Sequence, residues 1–126
     1  MSASPGQATA ARVAPTRQDA EAAVARMREM SADLRGCAVL DARGEALAAT
    51  GDPRRWQEAA AVLLGAADLA GREPAESLHV GTEEGEVFAV RHGELAMVAV
   101  AERFTLASLM LFDMRTVLRE MVEGAS

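Results

Sequence analysis

The run Ala59-Ala60-Ala61-Val62-Leu63-Leu64-Gly65-Ala66-Ala67 carries no charge and almost no polarity. It lies in a segment bracketed by helix punctuation. Asp52 suits an N-cap, Pro53 suits the first helical position, and Gly71 suits the residue just past the end. The residues between are strong helix formers, apart from Gly65. An amphipathic surface helix keeps one wet face, whereas a helix that is apolar all round has to be buried on more than one side. At about 1.5 Å rise per residue the run is far too short to span a bilayer. Either the rest of the chain wraps this helix, or a second copy covers what one copy cannot.

The chain has 126 residues, 50% of them hydrophobic, which is room for one domain with a core of its own. A formal net charge of −6 argues against general binding to nucleic acid or to a membrane surface. All 13 basic residues are arginine. The absence of lysine removes a P-loop lysine and Schiff-base chemistry from consideration. Cys37 is the single cysteine and has no internal disulfide partner, which fits a reducing, cytoplasmic setting. Residues 1–15 are small and polar, with Arg12 as the only charged side chain. They read as neither a signal peptide nor a membrane span but as a disordered tail, so the folded domain is expected over residues 16–124.

Thr16-Arg17-Gln18-Asp19 has the spacing of a capping box, with Asp in place of the usual Glu. Behind it Ala20, Ala23, Val24, Met27, Met30 and Leu34 recur at helical spacing, and Gly36 is read as the stop. Cys37–Asp41 and Ala46–Thr50 are short runs around a tight, Gly44-containing turn, which predicts a β-hairpin. The apolar helix then takes Pro53 to Ala70, and Gly71-Arg72-Glu73-Pro74 breaks the chain. Leu78, Val80 and Thr82 alternate with Ser77, His79 and Gly81, the pattern of a strand with one buried face. Glu86–Arg91 follows as a second strand. His92-Gly93 reads as a two-residue turn into the apolar strand Leu95–Ala101. Thr105 is the expected cap of a last helix running to Glu123, with Leu106, Leu109, Met110, Met114, Val117, Leu118 and Met121 on its buried side. The order is α-β-β-α-β-β-β-α. Continuous apolar strands call for cover on both faces, so the expected class is α/β, a three-layer α/β/α domain around a five-stranded antiparallel sheet.

With that order in hand, the chain resembles the roadblock/dynein light chain domain family. The likeness spans Thr16 to Glu123 and is sharpest in Leu34-Arg35-Gly36-Cys37-Ala38-Val39-Leu40-Asp41-Ala42-Arg43-Gly44, where a hairpin follows directly on the first helix. Glu84-Gly85-Glu86-Val87-Phe88-Ala89-Val90 and the apolar strand leading into the last helix are also similar to it. The resemblance implies a profilin-like, longin-like sheet, with the outer helices on one face and the middle helix on the other. It implies a homodimer in which the strand after the middle helix pairs across a two-fold axis and the two middle helices pack antiparallel. In this chain the pairing strand would be Glu76–Thr82, with Leu78, His79 and Val80, and the helix seam would use Val62, Leu63, Ala66 and Ala67. It further implies non-enzymatic work: a regulator or scaffold for a small Ras-like GTPase, or a subunit of a signalling complex. The alternative from a different class is a small-ligand sensor of the same profilin-like shape.

Candidate chemistry is sparse. A serine-type triad needs a nucleophile, a histidine and a carboxylate in one geometry. Only His79 and His92 exist, and no G-x-S-x-G elbow accompanies them. His79, on the proposed pairing strand, is better read as an interface side chain. Cys37 sits in an apolar run and reads as a small buried hydrophobe rather than a redox thiol. Asp41, Glu45 and Asp52 lack the spacing of an oxygen-ligand loop, so neither a metal nor another cofactor is expected. Arg54 and Arg55 are the most tempting pair, since an arginine finger in trans would use such residues; solvent exposure at a helix start is the simpler reading. Trp56 either covers the sheet or anchors the dimer. Met27, Met30, Met110, Met114 and Met121 read as core, or else as a plastic partner surface.

Overall fold

The computed structural model describes residues 15–71 and 76–124. All but the last residue of the expected N-terminal tail, and most of the break after Gly71, lie outside the described residues. Three helices, α1 (Arg17–Met30), α2 (Pro53–Ala70) and α3 (Ala107–Gly124), accompany five strands: β1 (Leu34–Leu40), β2 (Ala46–Ala49), β3 (Ser77–Gly81), β4 (Glu86–His92) and β5 (Leu95–Ala101). The strands form one sheet in the order β2-β1-β5-β4-β3, and every neighbouring pair is antiparallel.

Helix α1 begins on a complete capping box. Thr16 Oγ1 accepts from the Asp19 backbone N–H at 3.1 Å, and the Asp19 carboxylate accepts from the Thr16 N–H at 2.8 Å. Each bond satisfies a donor that the helix itself leaves unpaired. Thr16→Ala is expected to cost about 1 kcal/mol, seen as a lower denaturant midpoint at unchanged slope. The helix stops earlier than its apolar spacing suggests. Ser31 is extended and closes the last turn through its N–H to the Met27 carbonyl, and Leu34 opens β1. Leu34 still packs on the core that α1 faces, so a helical and a strand placement satisfy the same apolar requirement. Gly36 lies inside β1 and does not end the helix. A Cβ there would come 2.5 Å from Thr50 Oγ1.

The two faces of the sheet bury different sets of residues, as strand alternation requires. Cys37, Val39, Phe88, Val90, Met97 and Ala99 point to the face covered by α1 and α3, where they meet Met27, Met110, Met114, Leu118 and Met121. Leu40, Ala89, Ala96 and Val98 point to the α2 face and meet Ala60. Four of the five methionines singled out in the sequence are therefore core, and Met30 is partly exposed. The β1–β2 turn is held by Asp41, whose carboxylate accepts from the Arg43 and Glu45 N–H groups at 2.8 and 3.0 Å. Gly44 takes the positive φ of 82° that the turn needs. On the far side Arg35 staples three segments. Its guanidinium bonds both Glu102 carboxylate oxygens at 2.9 and 2.8 Å and the Glu84 carbonyl at 2.6 Å.

That staple makes a pH signature. The Arg35 guanidinium holds the Glu102 carboxyl below the usual carboxylate range. A carboxylate with a depressed folded pKa contributes stability above its unfolded pKa of about 4.3, and loses it as pH falls through the lower folded value. The melting temperature of Glu102→Gln is therefore expected to fall less on acidification below about pH 4.5 than that of the parent chain. Parallel melting curves across that range would contradict the assignment.

The structure departs from the sequence reading at the C-terminal end. Thr105 does not cap α3: its hydroxyl donates to the Glu102 carbonyl at 2.6 Å, closing the preceding turn, and the helix starts at Ala107. Leu106 and Leu109, expected on the buried side, are exposed. Three- and four-residue spacing marks a face without saying how wide the covered stripe is, and the stripe here is filled by Met110, Met114, Val117, Leu118 and Met121. His92 ends β4, so the tight turn is Gly93-Glu94, with Gly93 at φ 61°.

Candidate interaction surface

Helix α2 starts where expected. The Asp52 carboxylate accepts from the Arg54 N–H at 3.0 Å, and Pro53 sits in the first turn. Of its eighteen residues only Ala60 is buried. The helix rests mainly over β2 and β1, at one side of the sheet. It is fixed there by Trp56, whose indole N–H donates to the Thr50 carbonyl at 2.7 Å. At its other end Asp68 takes both Arg91 guanidinium nitrogens at 2.8 and 2.9 Å, and this pairing raises the Arg91 pKa.

This placement divides the residues singled out in the sequence. Trp56 and Leu63 are half-buried against the α2 face of the sheet, with Leu64 beside them. Ala67 is also half-buried. Val62 and Ala66 point away from the sheet, and Val62 is 74% exposed. Leu69, absent from the seam drawn from sequence, is 90% exposed on the same outward side. Helical spacing joins these three into one stripe, because residues three and four apart share a face. The sequence signal for Leu69 was present, since Val62, Ala66 and Leu69 repeat at that spacing.

Strand β3 lies at the edge of the sheet, and β4 is its partner. Leu78 on the α2 face is half-buried, and Val80 is partly exposed together with Thr82. The alternation read from sequence is thus present in register, but the face it marks is incompletely covered. Beside them Val87 and Val100 are also only half-buried. His79 belongs to the other face. Its register partner is Phe88, on which its ring stacks at 4.6 Å and 6°, and its Nε2 meets the Glu86 carboxylate. His79 therefore reaches the α3 side and the strand edge, not the α2 stripe. His92 stands apart from it at the far end of β4. Arg54 and Arg55 are exposed at the start of α2 and make no ion pair among the described residues.

No group of His, Cys, Asp and Glu suited to a metal occurs among the described residues. Cys37 lies in the core, and burial pushes its thiol up to about 11, which keeps it protonated at neutral pH. Among the described residues no helix is long and apolar enough to cross a membrane. An open cleft of about 720 Å³ separates α2 from the two hairpin turns, over a floor that includes Leu40, Ala60 and Leu64. No buried side-chain polar atom among the described residues lacks a hydrogen-bond partner, so none waits there for a ligand.

A sheet in the order β2-β1-β5-β4-β3, with two helices on one face and a third on the other, can be compared directly with known folds. The chain is similar to the roadblock/LC7 domain from Streptomyces avermitilis, with a TM-score of 0.71 over 82% of this chain and 95% of that one. The fold is that of a roadblock/LC7 domain. Identity to that domain is 14%, and the likeness resides in the fold. Myxococcus xanthus MglB is similar at a TM-score of 0.65 and 14% identity, covering 87% of this chain and 92% of MglB. Schizosaccharomyces pombe profilin is similar at a TM-score of 0.62 and 14% identity, covering 84% and 98%. The likeness to profilin agrees with the profilin-like sheet that the roadblock resemblance implied. No protein-family model matches the sequence, and no curated protein sequence matches it significantly.

Proposed function

We propose that this chain is a non-enzymatic homodimeric platform that binds and modulates a small Ras-like GTPase or a signalling complex in the cytoplasm. The observation that carries the reading is the pairing of two incomplete surfaces on one side of the molecule. The outer stripe of α2, Val62, Ala66 and Leu69, has no cover, and the edge strand β3, next to the β4 strand that the end of α2 reaches through Asp68 and Arg91, has an unpaired side. A two-fold axis beside β3 and normal to the sheet would close both at once. The sheets would join edge to edge, and each α2 would shield the other's stripe, while Leu78, Val80 and Val87 would gain cover. Ala66 and Gly65 keep the outward side of α2 low, which suits close helix approach. Val62, Ala66, Leu69, Leu78 and Val80 form this seam, with His79 at the strand edge and Trp56, Leu63 and Ala67 bracing it from behind.

Beyond the dimer, the GTPase rests on the roadblock resemblance and on the fold shared with MglB. The mechanism would be conformational, a rigid surface biasing the switch segments of its partner. The test uses a small Ras-like GTPase from the same genome, with binding measured in its GDP and GTP forms and hydrolysis followed with and without this chain. Binding that depends on the nucleotide is expected. Arg54→Ala and Arg55→Ala are expected to leave stimulated hydrolysis largely intact. A loss approaching about a thousandfold from either would identify an arginine finger and overturn the non-catalytic reading. The sensor alternative draws on the cleft below α2. It predicts a monomer whose melting temperature rises with a small ligand.

A further inference from the structure

The two edges of the sheet differ in what they offer a further strand. At β2 side chains already take edge groups: Gln57 Oε1 accepts the Ala46 N–H at 2.8 Å, and Arg17 donates to the Leu47 carbonyl at 3.2 Å. The β1–β2 register also shifts after Val39, whereas β3 runs in step with β4 from Ser77 to Gly81. Just beyond those ends the Arg91 N–H donates to the Glu76 carbonyl and the Thr82 N–H to the Gly85 carbonyl, both at 2.8 Å. In an antiparallel ladder a residue's N–H and C=O point to the same side, and the side alternates along the strand. Glu76, Leu78, Val80 and Thr82 are therefore turned to β4, and Ser77, His79 and Gly81 turn both backbone groups outward.

The side chains along this edge carry opposite charges at its two ends. Ser77, His79 and Gly81 share the face covered by α3: His79 stacks on Phe88, and Arg115 of α3 donates to Ser77 Oγ at 3.2 Å. At the other end the Glu86 carboxylate lies over Gly81, where a Cβ would come 3.4 and 3.6 Å from its two oxygens. The bond to His79, the Phe104 N–H and the charge of Arg103 hold that carboxyl below the usual carboxylate range. Arg115 makes no ion pair among the described residues. Asp113, two positions before it, does not share its side of the helix. Within one subunit the groups over Ser77 and over Gly81 stand about 13 Å apart along the strand.

We propose that two copies pair through β3 with the two-fold axis beside His79, so that Arg115 of each protomer meets Glu86 of its partner. This register rests on the β3 dimer proposed above. With the axis there every outward residue finds a mate: His79 faces His79, and Ser77 faces Gly81 across the seam. Moving the axis to Leu78 or Val80 carries Gly81 or Ser77 beyond the end of the opposing strand. Facing residues in such a pair have Cα atoms about 5.5 Å apart and side chains on one face. The guanidinium over Ser77 then lies beside the partner's carboxylate over Gly81, and symmetry makes the contact twice. A foreign strand could use the same edge, but a second copy brings both the carboxylate and the arginine that the edge lacks.

Cross-linking and charge exchange, both in the full chain, test the register. Mild oxidation of His79→Cys is expected to give a disulfide-linked dimer, since the axis sets that position beside its own mate. Ser77→Cys and Gly81→Cys should link poorly alone, at about 13 Å from their mates, and well when mixed. Cys37 is buried and stays out of the reaction. Arg115→Glu and Glu86→Arg should each weaken the homodimer by about tenfold. Mixed together they should form the heterodimer above its statistical share, because each repels itself and complements the other. Circular dichroism checks the fold of each variant. Should Glu86→Arg unfold, Glu86→Gln keeps an acceptor for the Phe104 N–H and should weaken the dimer by about threefold. A monomeric parent chain would overturn the dimer and its register together. A dimeric parent in which Leu78→Cys or Val80→Cys links better than His79→Cys would overturn the register alone. So would charge variants that leave the dimer as tight as the parent's or show no preference for each other.

Discussion

Ala66→Arg is expected to yield a folded monomer in place of the dimer proposed for the parent chain. Ala66 points outward from α2, so an arginine there meets no part of its own subunit. Across a two-fold axis it would be buried near its symmetry mate without a carboxylate, at a cost of several kcal/mol, enough to shift association by orders of magnitude. Val62→Arg should act in the same way. Leu63→Arg should behave differently, because Leu63 packs towards the sheet beside Trp56 and Ala60. It should lower the melting temperature of the subunit itself. Sedimentation together with thermal melts separates the two outcomes. A dimer retained by both Ala66→Arg and Val62→Arg would remove α2 from the interface.

Phe88→Ala should be the most damaging single truncation. The Phe88 ring is fully buried at the centre of the α1/α3 core and stacks on His79 at the sheet edge. Emptying such a site typically costs about 3–5 kcal/mol, from lost transfer energy and the cavity left behind. Urea unfolding should show the loss as a fall in midpoint with little change in slope. The same change removes the surface on which the His79 ring rests, so β3 should also exchange its amide protons faster. A destabilisation below about 1 kcal/mol would mean that the core collapses around the gap.

The fold was legible because each element carried its own punctuation. Asp52-Pro53 and the Thr16 capping box marked helix starts, Gly44 and Gly93 marked turns, and alternating or continuous apolar runs marked strands. The errors have one physical source. Periodicity identifies which side of an element is apolar, but the width of the covered stripe depends on neighbours the sequence does not place. Leu34 satisfied the core equally well from helix or strand. Leu106 and Leu109 continued an apolar face that α3 leaves in water. For the proposed dimer seam, the structure turns Val62 and Ala66 outward and Leu63 and Ala67 towards the sheet, with Leu69 exposed beside the outward pair. The bend at Phe104, which sits at positive φ, is closed locally by the Thr105 N–H and hydroxyl donating to the Glu102 carbonyl.

The uncovered α2 stripe makes self-association the central claim, and the mass of the parent chain in solution tests it most directly. Light scattering at micromolar concentration should give about twice the chain mass of 13.3 kDa. A mass of one chain across that range would contradict the account.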